Sequence, residues 1–188
     1  MKKINVIKLL VGLVLVSFLT GCQESGKAEI QSVPNRNYSV LKPASWSVMS
    51  DLNDEADLGM GSTFNDAFCI IISEPKSDFE DGVTLDHYSG LTLPDVKEGL
   101  LGYSDSGRED MEIDGSPAIR YVISGIDGGV KVKYWHVVVD AGGHYHQVFM
   151  WTSASRYKRN KKDFENVLQS FKATDTAVAK VSVDEVSE

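Results

Sequence analysis

Three of the four histidines in the chain, His136, His144 and His146, lie within eleven residues of one another, at a spacing suited to binding a metal ion. His144 and His146 are two residues apart, so in a β-strand their side chains share one face of the sheet. If the chain reverses direction through residues 141–143, His136 falls on that same face of the neighbouring strand, diagonal to His146. Three imidazoles in this arrangement predict a zinc or copper site, with Asp140 near the turn as a candidate fourth ligand. A register shifted by one residue separates the set and leaves the histidines as polar residues of a solvent-facing strand.

Other residue patterns that carry out chemistry are missing or incomplete. The sequence has no Gly-x-Ser-x-Gly, His-Glu-x-x-His or Cys-x-x-Cys motif and no phosphate-binding glycine loop. Ser-x-x-Lys occurs at residues 73–76 and 155–158 without an accompanying Lys-Thr-Gly. Residues 51–57 alternate acidic side chains as a calcium loop does, but Ala56 replaces the required glycine and Ser62 the required glutamate. The sequence therefore predicts a non-enzymatic protein, with an uncharacterised hydrolase as an alternative that rests on Ser-x-x-Lys alone.

The histidines lie in a region whose pattern is that of an antiparallel β-meander. The chain has 188 residues, of which 42% are hydrophobic and 24% charged, values typical of a globular protein. Apolar and polar residues alternate with period two in three runs separated by glycine-rich turns, at residues 119–124, 130–135 and 144–152. Asp114-Gly115 predicts a further hairpin, and residues 67–73 form an apolar segment suited to a strand buried on both faces. Together these segments predict a sheet of about five to seven strands.

Two segments have helical patterns. Phe164, Val167, Leu168 and Phe171 recur at i, i+3, i+4 and i+7, and Asn160 with Asp163 is a candidate cap for the start of this helix. A second helix is predicted to begin near Thr84 and to kink or end at Pro94, with a short helix over residues 95–101 following it. The order strands, helix, strands, helix predicts an α+β domain in which helices cover a mainly antiparallel sheet.

The N-terminal segment has the features of a secretory signal. Residues 1–21 begin with two lysines after Met1 and contain an apolar core of eleven residues, which is too short to span a bilayer. The sequence Leu19-Thr20-Gly21-Cys22 resembles the lipobox of bacterial lipoproteins. That resemblance implies cleavage before Cys22, attachment of a diacylglycerol to its thiol and acylation of its amine, for example with palmitate. Gln23 in place of an aspartate implies the outer membrane, facing the periplasm, in a host with two membranes.

The remaining chain is predicted to contain one folded domain. Residues 22–36, the lipidated cysteine and a polar stretch, are predicted to be a tether, residues 37–172 the domain, and residues 173–188, which lack aromatic side chains, a flexible tail. Cys69 is the second of two cysteines and lies in an apolar run, so we expect a buried thiol without a disulfide partner.

Charge is distributed unevenly along the chain, whose formal net charge is −8. Residues 51–114 contain 17 acidic and three basic residues, whereas residues 115–172 contain nine basic and four acidic residues. Five of the bases are close in sequence: Arg156, Lys158, Arg159, Lys161 and Lys162. This cluster is either a solvated helix face or a contact for anionic lipid headgroups. The secretory signal and the net negative charge argue against a nucleic-acid partner.

The order of segments also resembles the PsbP-like superfamily, which includes photosystem accessory proteins and DcrB-type lipoproteins. The resemblance covers about 130 residues and depends on six segments, at residues 43–46, 81–85, 113–121, 137–139, 147–153 and 160–172. It implies a twisted antiparallel sheet covered by helices, in proteins that bind or assist partners, and it supplies no catalytic residues. We therefore predict a lipid-anchored cell-envelope accessory module with a protein partner, and, as the alternative, a metal-binding envelope protein using the three histidines.

Overall fold

Three long strands joined by two-residue glycine turns form the centre of the molecule. They are β8 (Ser116–Asp127), β9 (Val130–Ala141) and β10 (His144–Ser153). Gly128 and Gly129 join the first pair, and Gly142 and Gly143 join the second, all four with positive φ. Turns of this kind need positive φ at both central positions, which glycine adopts without steric cost. The antiparallel meander predicted from the alternation is confirmed.

The computed structural model describes residues 26–174. Besides the three central strands, this part of the chain forms eight strands, two α-helices and two short 3-10 turns. The remaining strands and the helices, in chain order, are β1 (Glu29–Val33), β2 (Tyr38–Lys42), β3 (Ser47–Val48), β4 (Leu58–Ser62), β5 (Ala67–Pro75), α1 (Leu85–Glu98), β6 (Leu101–Asp105), β7 (Glu109–Ile113), α2 (Tyr157–Ser170) and β11 (Lys172–Ala173).

The strands form one large and one small antiparallel sheet. The large sheet has the order β3-β4-β5-β10-β9-β8-β6, and β7 also pairs with β8 through the predicted hairpin at Asp114-Gly115. The small sheet has the order β1-β2-β11. The predicted α+β class is confirmed. With eight strands, the large sheet exceeds the predicted five to seven because the short strands β3, β6 and β7 carry little alternation.

The large sheet has one closed and one partly open face. The closed face is covered by α2 and by β2 of the small sheet, and its core includes Cys69, Trp135, Val137, Met150 and Phe164, all at most 1% exposed. The opposite face is covered by α1, which packs against β8 and β9. Because α1 is the only helix on this face within residues 26–174, the part of the face formed by β5 and β10 is less well covered.

Both helices differ in detail from the prediction. Asn160 does not cap α2, which begins at Tyr157; it is buried three residues into the helix, and its amide donates to Asn65 O at 2.9 Å and to Thr152 Oγ1 at 2.9 Å. Thr84 caps α1 as expected, accepting a hydrogen bond from the His87 N–H. The helix then continues through Pro94 to Glu98. Pro94 has no N–H to donate to the carbonyl of Gly90, four residues earlier. Gly90 is exposed, so water can hydrogen-bond to this carbonyl instead.

The domain is longer at both ends than predicted. Part of the expected tether, Glu29–Val33, is strand β1 and pairs with β2, and Lys172–Ala173 also pairs with β2. The predicted signal, Cys22, Gln23 and residues 175–188 of the expected tail lie outside the described residues. Neither helix within residues 26–174 has the length and apolar character needed to span a membrane.

Asn160 connects α2 to the turn between β4 and β5, so replacing it tests this connection. We expect Asn160→Ala to lower the free energy of unfolding by about 1–3 kcal/mol, because buried acceptors lose their donor. Urea denaturation measures the change. Asn166→Ala, at an exposed position of the same helix, is the matched control and should change stability by less than about 0.5 kcal/mol. Equal effects of the two substitutions would contradict this role of Asn160.

Candidate functional site

The structure separates the three histidines that were predicted to bind a metal. The turn contains only Gly142 and Gly143, so Ala141 pairs with His144, and His146 pairs with Val139. The predicted cluster needs a three-residue turn, and the one-residue difference places His136 on the opposite face of the sheet. The prediction of a zinc or copper site at His136, His144 and His146 is therefore wrong. Within residues 26–174, no group of three or more potential ligands is suited to hold a metal ion.

His146 lies in the core of the closed face, next to Tyr38 and Phe171. Its Nδ1 is 2.9 Å from Ser73 Oγ and its Nε2 is 3.2 Å from Ala141 O. A carbonyl oxygen only accepts, so Nε2 carries the proton and the Ser73 hydroxyl donates to Nδ1. Burial lowers the pKa of His146 to about 4. Ser73 and His146 are 4% and 0% exposed, so a substrate cannot reach this pair.

The other residues of the predicted patterns have structural contacts. His144 is half-buried, with Nδ1 3.0 Å from Gly142 O. Asp140, the candidate fourth ligand, lies on the face of the sheet opposite His144 and His146 and forms an ion pair with Lys76. In the acidic loop, Asp57 forms an ion pair with Arg36 at 2.7 Å and accepts a hydrogen bond from the Ser73 N–H at 2.7 Å. Cys69 is fully buried, and its burial raises the pKa of the thiol.

His136 lies beneath α1 on the partly open face. Its ring stacks on Phe149, with centroids 4.5 Å apart, and Nε2 is 3.2 Å from Thr92 Oγ1. Nδ1 is buried and has no hydrogen-bond partner within the described residues. Burial lowers the pKa of this histidine to about 4, so the ring is neutral near pH 7. A histidine that acts as a general base is normally oriented by a partner at its second nitrogen, and no described residue orients His136 in this way.

The described residues form a groove beside α1, which the sequence did not predict. Its volume is about 770 Å³, and α1 and the loop between β3 and β4 form its walls. Its floor is the uncovered part of the sheet, formed by side chains of β5, β9 and β10: Ile70, Ile72, Tyr134, Phe149 and Trp151. We call this feature the aromatic groove.

The floor of the aromatic groove is built by cross-strand pairing. Trp151 pairs with Phe68 on one side and with Tyr134 on the other. The Trp151 ring stacks on both neighbours, with centroids 5.4 Å from Phe68 and 6.2 Å from Tyr134. All three side chains are half-buried. Rings stacked in this way form a rigid apolar surface that a ligand can cover at little cost in side-chain entropy.

The polar groups of the aromatic groove are mainly carboxylates. Glu74 accepts a hydrogen bond from the Tyr88 hydroxyl, and the Gln147 amide donates to the Tyr88 oxygen at 2.8 Å. Burial and the neighbouring Glu74 raise the pKa of Tyr88. The other carboxylates of the lining are Glu55, Asp95 and Asp127, and the lining contains no lysine or arginine. The aromatic groove therefore combines apolar surface with negative charge.

The sequence contains one part of the signal for this site. Phe149 and Trp151 alternate in one strand and Ile70 and Ile72 in another, which places each pair on one face. The pattern does not show that both pairs share a face, because that depends on how β5 and β10 pair. It also does not show that α1 leaves this part of the sheet uncovered.

Comparison with known proteins identifies the fold. No family model matches the sequence, and no curated protein matches it. Among solved structures, cyanobacterial PsbP (CyanoP) from Synechocystis sp. PCC 6803 is similar with a TM-score of 0.58 and 20% identity, over 82% of this chain and 98% of that one. LpqN, involved in cell envelope biogenesis of Mycobacterium tuberculosis, has a TM-score of 0.58 and 13% identity, over 79% and 86%.

A third similar structure comes from a eukaryote. The Ran-binding protein Mog1p of Saccharomyces cerevisiae has a TM-score of 0.55 and 9% identity, over 81% of this chain and 98% of that one. At identities this low the similarity establishes the fold alone. The domain thus has the PsbP-like fold that its order of segments predicted.

The two buried histidines predict a pH-dependent stability. The pKa of each histidine is lowered to about 4 in the folded protein. In the unfolded chain each has the ordinary histidine pKa near 6.5, so below this pH the unfolded chain binds more protons than the folded protein does. We expect the contribution of these histidines to the free energy of unfolding to be fully present above pH 6.5. It should fall toward pH 4, by up to about 1.4 kcal/mol per pH unit for each histidine. Urea denaturation at pH 7 and pH 5 measures this slope.

His136→Gln and His146→Gln should each reduce the slope between pH 7 and pH 5, since each removes one titrating group. Gln169→Ala is the control, because it replaces an exposed side chain that does not titrate and should leave the slope unchanged. An unchanged slope in both buried variants would refute the assignment of the pH dependence to these two residues.

Proposed function

We propose that this protein is a non-enzymatic accessory module, anchored by lipid in the cell envelope, that binds a protein partner in the aromatic groove. The observation that carries the proposal is the open aromatic floor on one face of an otherwise well-covered sheet. Exposed apolar surface is costly for a water-soluble domain, and contiguous patches in clefts are typical of binding sites.

The chemistry of the aromatic groove favours a partner segment with apolar and basic side chains. Stacked aromatic rings bind apolar groups and the faces of cations such as arginine. The carboxylates of Glu55, Asp95 and Asp127, with no lysine or arginine in the lining, attract a positively charged segment and disfavour an acidic one. We infer that the partner inserts aromatic or aliphatic side chains between α1 and the floor, with basic residues toward the carboxylates.

A binding role agrees better with these side chains than catalysis does. The lining contains no serine, cysteine, lysine or histidine. Thr92 is the one hydroxyl residue of the lining besides tyrosines, and its Oγ1 lies 3.4 Å from both Tyr88 O and Ser89 O of its own helix. The neighbouring His136 lacks an orienting partner, so the pair does not form an activated nucleophile of the usual kind.

The proposed location follows from the N-terminal segment and agrees with one structural neighbour. The lipobox-like residues at 19–22 support lipidation of Cys22, and two or more acyl chains hold a protein firmly to a membrane. LpqN, which has the same fold, is described as involved in cell envelope biogenesis. In a host with two membranes, Gln23 favours the outer membrane, with the domain facing the periplasm.

Cys22→Ala tests the anchor. The natural chain and Cys22→Ala are expressed in a bacterial host that is grown with radiolabelled palmitate. We expect the natural chain to incorporate label and Cys22→Ala to incorporate none, because the sulfur of the Cys22 thiol is the proposed attachment atom. Cys69→Ala is the matched control and should retain the label, since Cys69 is fully buried in the domain. Labelling of Cys22→Ala equal to that of the natural chain would contradict the proposed anchor.

Selection from a random peptide display library tests the aromatic groove. We expect peptides selected on the full chain to be enriched in basic and in aromatic or aliphatic residues. Trp151→Ala should weaken their binding at least about tenfold, as loss of a central aromatic contact commonly does. Fluorescence polarisation with labelled peptides measures the affinities.

The charge of the aromatic groove is tested by a second variant. Glu55→Gln with Asp95→Asn should weaken the same peptides about threefold to tenfold, because two carboxylates near the bound cations are neutralised. The control is Glu80→Gln with Glu112→Gln, which removes two exposed carboxylates that do not line the groove. Peptides without basic residues, or equal affinity for the natural chain and Trp151→Ala, would overturn the proposal.

A further inference from the structure

A second surface, on the opposite side of the large sheet, combines positive charge with an exposed aromatic ring. It lies where α2 begins, beside the turn between β4 and β5. The side chain of Phe64 in this turn is 74% exposed. Around it are exposed basic residues at the start of α2, and we call the whole set the basic-aromatic patch: Phe64, Arg156, Lys158, Arg159 and Lys162.

Hydrogen bonds hold the turn that contains Phe64 beside the basic residues at the start of α2. Arg156 Nη1 donates to Phe64 O at 3.0 Å, and Arg159 Nη2 donates to Asn65 Oδ1 at 3.2 Å. Asn160, buried beneath them, donates to Asn65 O at 2.9 Å. The turn is therefore fixed to α2, and Phe64 is presented to solvent by a structured element.

The basic side chains of the basic-aromatic patch are not held in ion pairs in the described part of the chain, and the Asp163 carboxylate lies near one of them, Lys162. Within residues 26–174, the structure gives no ion pair to Arg156, Lys158, Arg159 or Lys162, whereas Lys161 pairs with Glu165 at 3.4 Å. Lys131 and Lys133 of β9 alternate onto the same side of the sheet as α2, and Ala154 N donates to Lys131 O at 2.8 Å. A chain of net charge −8 thus has a concentrated positive surface beside the start of α2.

We propose that the basic-aromatic patch docks on the surface of an anionic phospholipid bilayer, with Phe64 inserted among the headgroups. Basic side chains near an anionic bilayer are attracted to it, and an exposed aromatic ring on the same surface is stabilised by entering the interface. A single exposed phenylalanine or a single basic cluster is common on protein surfaces. Here the turn between β4 and β5 holds Phe64 and the basic cluster together. The headgroup region of an anionic bilayer is charged and partly apolar, so it can bind both.

Docking in this way would set the orientation of the domain. α2 covers the closed face of the sheet, and the aromatic groove is on the other face. A domain held to the bilayer through α2 therefore presents the aromatic groove away from the membrane, toward a partner.

Gly26, the first described residue, lies against Ala44, since a Cβ at Gly26 would be 2.8 Å from Ala44 O. Ala44 precedes β3, whose Ser47 pairs with Gly61 of the hairpin that holds Phe64.

Fluorescence quenching in vesicles tests the proposal on the full chain. Phe64→Trp keeps an aromatic ring at the exposed position. The natural chain already contains Trp46, Trp135 and Trp151, so the depth at position 64 is reported by the quenching with brominated lipids in excess of that of the natural chain. The protein is reconstituted in phosphatidylcholine vesicles with or without phosphatidylglycerol. We expect quenching at position 64 only with phosphatidylglycerol, and its loss at about 0.5 M salt, where charges are strongly screened. Leu91→Trp, an exposed position at the aromatic groove, should remain unquenched.

The charge dependence is tested with lysines that make no ion pair in the described structure. Lys158→Gln with Lys162→Gln in the Phe64→Trp chain should lower the ratio of docked to undocked protein at least about tenfold. Lys97→Gln with Lys172→Gln removes two exposed lysines elsewhere and should leave quenching unchanged. Quenching at position 64 no greater than at position 91, or the same without phosphatidylglycerol, would overturn the proposal.

This inference rests on the membrane location proposed above but not on the aromatic groove. Failure of the anchor appears as protein that does not remain with the vesicles. Failure of the docking surface appears as protein that remains with the vesicles but shows no quenching at position 64. The two failures are therefore distinguished in one experiment.

Discussion

The two-residue turn at Gly142 and Gly143 is the constraint on which the arrangement of side chains depends. Both residues have positive φ, and Ala141 pairs directly with His144. Because side chains alternate along a strand, this pairing assigns every residue of β9 and β10 to one face, and the neighbouring strands β5 and β8 follow through their own ladders. A turn longer by one residue would move His136 to the face of His146 and remove Tyr134 from the floor of the aromatic groove.

Both faces of the large sheet contain buried polar groups. On the closed face, His146 pairs with Ser73 and Ala141, and Asn160 pairs with Thr152 and the turn that holds Phe64. These contacts join α2 and the hairpins into one core, while the Tyr38 hydroxyl and Trp46 Nε1 have no hydrogen-bond partner within the described residues. On the partly open face, His136 Nδ1 has no partner within the described residues, and Glu74, Tyr88 and Gln147 form a small network at the edge of a cavity.

The surfaces of the domain are opposite in charge as well as in position. The aromatic groove has four carboxylates and no lysine or arginine in its lining, whereas the basic-aromatic patch has four cations without ion pairs in the described structure. Unlike charges separated by a sheet are a means of binding different partners without competition between them. In the proposed arrangement the membrane and the partner protein lie on opposite sides of the domain, which suits a module that presents a binding site from a lipid surface.

The sequence by itself determined the meander, the helix stripe at Phe164, Val167, Leu168 and Phe171, the α+β class and the likeness to PsbP-like proteins, because glycine turns and side-chain periodicity act between residues close in the chain. It did not determine the length of the turn at Gly142 and Gly143. The histidine site was predicted with a turn one residue longer, and for that reason the prediction was wrong. Nor did it locate the aromatic groove, which needs Ile70, Tyr134 and Trp151 from three strands and a helix that covers only part of their face. Those relations arise from pairing and packing between distant residues, so only the tertiary structure decided them.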